Sequence, residues 1–395
     1  MLAVSVAAVI FLAAGSDGRN DAFGRPLGTD FSNVYAAGTY VLEGRHAAAF
    51  DWNQHYARQK EIFGPQTQFY GWHYPPFFLF IAAALATLPY ALALLVWQGA
   101  TLLMYLLAIR SILFSSSFSV RQGNRVNSNL WILLALAFPA VLINIGHGHN
   151  GFLTAALIGG GLALIDRRPI AAGILFGLMS YKPQFGIMIP LVLMATGRWR
   201  VFCAASATVA ALGLATLLAF GAEVWRAFFD SAQLTRLVVL EAGGTGWHKI
   251  QSVFAWVRLW GGGVALAYAA QGAVMLAAAV ALIRLWRSEA AFALKAAGLV
   301  LGALLATPYS LDYDMMVLAP AIAFLAADGL QRGFAPWEKS ALAWLWFVPL
   351  VARSIAEYAF IPLGIWTMLG VFVLVLRRAA GDAQHTAQPL AARTP

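Results

Sequence analysis

The sequence predicts an all-α polytopic membrane protein. Three observations carry that expectation: 61% of the 395 residues are hydrophobic against 11% charged, the mean hydropathy is +0.72, and the apolar residues gather in helix-length runs. A soluble domain carries about 25% charged residues. Chain in hydrocarbon must satisfy its own backbone groups, which leaves helices or closed barrels, and runs longer than the ~10 residues of a barrel strand favour helices. The formal net charge of +9 does not point to nucleic acid. Basic residues sit in pairs at the ends of apolar runs, where anionic headgroups and the positive-inside rule place them, so membrane lipids are the expected partners. Cys203 is the single cysteine, which excludes an internal disulfide and a thiolate metal cluster.

The elements follow in order. Residues 2–15 form a first membrane helix rather than a cleaved leader, since no basic segment precedes them. A long polar stretch, 16–76, comes next and contains a short helix over 31–43 in "GTDFSNVYAAGTYVLEGR". Further apolar runs fall at 77–88, 90–113, 130–145, 151–165, 170–181, 183–196, 201–220, 263–285, 291–307, 315–328, 340–352 and 361–377. Several are shorter than the roughly 20 residues a span needs, so the expectation is roughly 12 transmembrane helices with some segments broken or re-entrant. The Pro-flanked 77–88 and Pro-interrupted 170–196 are the candidates for breaks. Arg121 and Arg125, Arg167 and Arg168, Arg198 and Arg200, Arg284 and Arg287, and Arg377 and Arg378 mark cytoplasmic ends. Loops 16–76 and 221–262 then face outward, the second carrying an interfacial helix with Trp225, Phe228, Phe229 and Ala232 on one face. Residues 1–378 form one transmembrane domain, and 379–395 read as a disordered cytoplasmic tail.

Five stretches and one cationic pair could carry chemistry, each with a plainer reading beside it. Asp30 is placed at the membrane–water boundary, where it is either a general base or a helix N-cap. In "GWHYPPFFLF", 71–80, Trp72 and Tyr74 read as headgroup-level aromatics, or as residues flanking a sugar or a lipid phosphate. In "NIGHGHNGF", 144–152, His147 and His149 are badly spaced for a helical metal site and lack an acid. A Gly-rich turn placing His149 and Asn150 in a cavity fits better. Lys182 in "GLMSYKPQFG" has no acid nearby in sequence, so it either snorkels to the interface or meets an anionic phosphate. Asp312 and Asp314 in "TPYSLDYDMM" could hold a cation or sugar hydroxyls, or serve as helix-start acids. His248 and Lys249 add cations on the second outer loop. No phosphate-binding glycine loop, dinucleotide fingerprint, zinc-protease helix or nucleophile elbow occurs.

In order and spacing, "GTDFSNVYAAG", "YPPFFLF", "INIGHGHNGFL", "AAGILFGLMSYKPQ", "KIQSV" and "ATPYSLDYD" together resemble glycosyltransferase family 87, of the GT-C fold. His149 stands where that pattern has a glutamine, and Asp312 and Asp314 where it has Trp or His. The resemblance implies a transferase moving a hexose, mannose foremost, from a polyprenyl-phosphate sugar to an acceptor hydroxyl on a glycolipid or polysaccharide. It implies Asp30 as the catalytic base at the outer face of a bacterial inner membrane. Lys182, His248, Lys249 and Tyr74 are then expected at the donor phosphate, and His149, Asn150, Asp312 and Asp314 at the sugar or acceptor. No metal or other cofactor is expected. The competing readings are a flippase or transporter of a lipid-linked anion, which predicts midplane charges and repeats, and a polysaccharide polymerase or ligase using a diphosphate-linked donor.

Overall fold

The computed structural model describes residues 2–114 and 128–387, so Arg121 and Arg125 lie outside the described residues. The described chain is helical, with only two isolated β-bridges and no strand. The helices are α1 (Leu2–Ala14), α2 (Phe31–Leu42), α3 (Trp52–Phe63), α4 (Leu79–Ala86), α5 (Tyr90–Leu113), α6 (Ser128–Leu136), α7 (Pro139–His147), α8 (Gly151–Leu164), α9 (Pro169–Leu178) and α10 (Pro183–Gly186). There follow α11 (Met188–Ala195), α12 (Trp199–Phe220), α13 (Glu223–Thr235), α14 (Val253–Leu259), α15 (Val264–Arg287), α16 (Phe292–Ala306), α17 (Leu318–Arg332), α18 (Glu338–Phe347), α19 (Ala352–Ala359) and α20 (Leu363–Ala387).

Prolines set several starts. Pro139, Pro169 and Pro183 occupy the first helical position of α7, α9 and α10. There the missing N–H costs no hydrogen bond and the fixed φ suits the helix. Among the described residues, five helices are long and apolar enough to cross a membrane: Tyr90–Leu113, Trp199–Phe220, Val264–Arg287, Asp312–Arg332 and Leu363–Asp382. A sixth arises if Asn129–Leu136 and Pro139–His147, bent by 52°, count as one span. The two segments expected to be broken are short or interrupted: Pro76–Ala86 stands alone, and Pro169–Tyr181 is separated from Pro183–Ala195 at Lys182. The last helix runs on to Ala387, with Asp382 paired to Arg332, so the tail is helical well past 378 and only 388–395 lie outside the described residues.

The core is built on α16 and α17. Apart from Phe292 and Lys295, α16 is buried along its length, from Ala293 to Ala306, and Leu318–Leu325 of α17 are almost all buried. A helix apolar all round belongs inside. By contrast α12 and α15 expose Leu214, Leu218, Leu266 and Leu276, as lipid-facing helices do. The outer loops close over one end. The aromatic face of α13 is shared: Phe228 packs on Phe50 of the first loop at 5.9 Å, while Phe229 stays exposed. The second loop is tied to the stretch before α17 by the Ile250–Leu311 bridge and by the Gln251 amide, which donates to the Ser310 carbonyl at 2.6 Å.

Candidate functional site

Asp30 is held by the turn between α7 and α8. Its backbone N–H donates to the His147 carbonyl at 2.9 Å. Two glycines make the approach possible. Gly28 (φ +57°) and Gly148 (φ +60°) are both in the left-handed region, and a Cβ on Gly148 would come within 2.7 Å of the Phe31 Cβ and 3.1 Å of the Gly28 Cα. The turn is braced from α5: the Trp97 indole N–H donates to the Gly148 carbonyl at 3.1 Å and the Gln98 amide to the His149 carbonyl at 3.2 Å. Asn144 completes the brace by accepting the Gly151 N–H at 2.8 Å.

The Asp30 side chain does not cap α2. Its Oδ2 is buried without a hydrogen bond among the described residues, and the His147 ring lies beside it, with Nδ1 3.7 Å away and 3.0 Å from the Thr29 hydroxyl. Burial pushes the Asp30 carboxyl above its ordinary value. His147 and Lys182 pull it back, while the negative charges of Asp312 and Asp314 raise it further. A carboxylate with one oxygen unspent and a raised proton affinity is equipped to accept a proton.

A cavity of about 280 Å³ is lined by Tyr74, His149, Lys182, Asp314, Tyr309 and Tyr313, with His73 and Arg236 also in its wall. Asp30 is not in the lining, but its carboxylate interacts electrostatically with Lys182 and Asp314 of that wall. Its centre is an ion pair. The Lys182 ammonium meets the Asp314 carboxylate at 2.5 Å, both groups almost fully buried. Buried Lys182 does not snorkel, and neither sequence reading of it, snorkelling or a phosphate, included this acid. Its partner is 132 residues further along the chain, and burial of an unpaired ammonium would cost several kcal/mol. The second Asp314 oxygen accepts the Leu311 N–H at 3.0 Å, which fixes the carboxylate from behind. His149 lies against Tyr313 with ring centres 3.6 Å apart, and its Nδ1 has no partner.

The other expected residues are placed less centrally. Trp72 and Tyr74 are buried rather than standing in a headgroup belt, because they join an aromatic stack with Phe78 and Tyr181. Asn150 opens α8 and its carbonyl accepts from Thr154 and Tyr181, outside the cavity lining. Asp312 turns to Arg353, at 3.4 Å. His248 lies 3.9 Å from Glu357, so neither it nor Lys249 reaches the cavity. Among the described residues, no three His, Cys, Asp or Glu side chains gather as a metal site would require.

Sequence reasoning passed over His73, Tyr309, Tyr313 and Arg236, although three of them lie inside stretches already singled out. His73 takes part through its Nδ1, 2.9 Å from the Thr235 hydroxyl, and burial lowers its ring to about 4, leaving it neutral at pH 7. Arg236 had no motif to flag it. A turn of π-helix, Arg236–Glu241, carries it to the cavity rim, where its Nε sits 3.5 Å from Glu241.

The family model described as glycosyltransferase family 87 matches residues 72–308, more than half of the chain. The match includes Tyr74, His149, Lys182 and Arg236 and stops short of Asp30 and Asp314. No curated protein and no solved structure matches the chain.

Proposed function

The chain belongs to glycosyltransferase family 87 and is a membrane glycosyltransferase; on that premise we propose that it moves a hexose, mannose foremost, from a polyprenyl-phosphate donor to an acceptor hydroxyl at the outer face of a bacterial inner membrane. The fold is then of the GT-C type, with the short apolar helices completing about twelve passes. The observation that carries the reaction is the buried Oδ2 of Asp30, unpartnered among the described residues and within electrostatic reach of Lys182 and Asp314 in the cavity wall.

The chemistry follows from the groups present. Asp30 takes the proton of the acceptor hydroxyl, and the acceptor oxygen attacks the anomeric carbon from the face opposite the phosphate. The carbon–oxygen bond to phosphate breaks, its electron pair leaves with the phosphate, and the configuration inverts. An ammonium has three donors. Lys182 spends one on Asp314 and keeps two for phosphate oxygens, while Arg236 supplies a second cation at the rim. His248 and Lys249, expected at the phosphate from the sequence, are replaced in that role by Arg236. Stabilising charge that develops on the leaving group in this way is commonly the largest catalytic contribution. Tyr74, Tyr309 and Tyr313 offer rings and hydroxyls to the sugar.

Membranes containing the wild type or Asp30→Asn, given labelled polyprenyl-phosphate mannose and a native lipid extract, test the proposal. Label should pass to an acceptor with the wild type and fail to with folded Asp30→Asn. Movement of intact lipid-linked sugar across vesicles without transfer would instead establish the flippase reading.

A further inference from the structure

A second cavity, of about 650 Å³, opens between the two outer loops. One wall is the segment Gly44–Gln54 and the other is α13, with Phe220 at the membrane end. Its character differs from that of a lipid groove. Glu223 and Asp230 present exposed carboxylates from α13, and neither has a hydrogen bond or ion pair among the described residues. On the opposite wall Arg45 donates to the Gln54 side chain at 2.8 Å, and half-buried Trp52 adds an indole surface. Carboxylates on both walls (Glu223 and Asp230 facing Asp51), donors from Arg45, Asn53 and Gln54, and the Trp52 ring beside them match one ligand chemistry. A sugar ring has hydroxyls that both donate and accept, and C–H faces that pack on aromatic rings. The carboxylates do not suit a phosphate, and the apolar residues of the lining, Phe50, Phe220, Val224, Ala227 and Leu234 among them, offer surface to the C–H faces of sugar rings.

The two cavities adjoin. Ser231 lines both, and the Trp52 indole N–H donates to its hydroxyl at 3.2 Å. Trp52 also stands 6.1 Å, ring to ring, from His73 on the inner side. Size divides the labour: ligand pockets run to about 300–1,000 Å³, so the inner cavity, at about 280 Å³, suits a single unit, and the outer one, at about 650 Å³, suits several. We propose that the outer cleft binds the acceptor as a chain of hexose units, whose terminal hydroxyl passes Trp52 and Ser231 into the inner cavity. This rests on the transferase reading for its purpose, but not for its binding chemistry.

The test uses the full chain in lipid nanodiscs and soluble oligosaccharides of mannose, glucose and galactose, from one to four units. Binding is followed by saturation-transfer NMR and calorimetry. Affinity should rise with chain length for at least one series. It should fall about tenfold in Trp52→Ala, in keeping with ~1.4 kcal/mol per tenfold change, and measurably in Glu223→Gln and Asp230→Asn, whose exposed positions leave folding intact. With labelled donor, the cleft variants should raise KM for the acceptor more than they lower kcat. No binding of any oligosaccharide by the wild type, or binding unchanged in all three cleft variants, overturns the proposal. Binding that the cleft variants weaken, with no label transferred by the wild type, sinks the donor reading and leaves the cleft standing.

Discussion

Asp30 is the residue on which the proposed mechanism turns, and its environment sets a signed prediction. Burial raises its carboxyl above the ordinary 3.8, so ionising it costs more in the folded chain than in the unfolded one. The stabilising contribution of the protonated form is complete below the unfolded value and is lost as pH rises through the higher folded value. At neutral pH the ionised side chain therefore opposes folding. Asp30→Asn should unfold at the same temperature as the wild type or a higher one, while transfer falls by ~10²–10⁴-fold, the usual contribution of a general base. Thermal unfolding in detergent, measured beside transfer, checks both halves, and a variant that is both inactive and less stable contradicts this account. The same shift places the acid limb of the wild-type pH–rate profile above the usual carboxylate range, with activity lost as pH falls. A profile flat down to pH 4 would remove Asp30 from the role of base.

Two contacts between distant elements hold the site, and each predicts a distinct failure. Lys182, between α9 and α10, is balanced by Asp314, just before α17. Removing one partner strands the other charge in a buried place, at a cost of ~3–5 kcal/mol, whereas removing both as Lys182→Met with Asp314→Leu should cost clearly less. Unfolding of the two single variants and the double variant reads the coupling, and additive losses would deny that the pair acts as a unit. The second contact is the pair of left-handed glycines. Gly148→Ala strains the backbone by about 1–2 kcal/mol and pushes a Cβ into Phe31. Because that turn holds the Asp30 amide, the variant should lose transfer more steeply than Gly44→Ala, which has a similar φ of +73° and open space around it. Equal losses in the two would show that strain alone, not the Asp30 contact, matters.

At the scale of the molecule, the reading demands that both outer loops share one side of the membrane and the arginine-ended helices the other. In a Cys203→Ser background, Asn53→Cys and Asp230→Cys should react with an impermeant thiol reagent in intact cells. Arg287→Cys should react only after permeabilisation. Reaction of all three from outside would refute the orientation and, with it, an outward-facing site. The large share of α16 and α17 buried within the bundle, against the bare lipid faces of α12 and α15, also places Asp314 and the cavity it lines against the most deeply buried helices. That suits a carboxylate whose position must hold while the substrate changes.

Composition and run length by themselves determined that the chain is helical and membrane-embedded, because hydrocarbon admits no other way to satisfy the backbone of such runs. Local signals did nearly as well where chemistry is local. Proline positions marked the short or interrupted segments 76–86 and 169–195 but not the 52° bend between Leu136 and Pro139, inside the run 130–145 read as continuous. An acid just past the first apolar run made Asp30 one candidate among several. Ordered motifs suggested the family, and the match over 72–308 then established it. What only the tertiary structure decided is pairing. That Lys182 meets Asp314, that Asp312 turns away to Arg353, and that Trp52 meets Ser231 are contacts across 41 to 179 residues. The same separation hid His73 and Arg236, whose roles depend on which helix packs beside them. A side chain's type sets what it can bond, but its partner is fixed by packing, which no window along the chain contains.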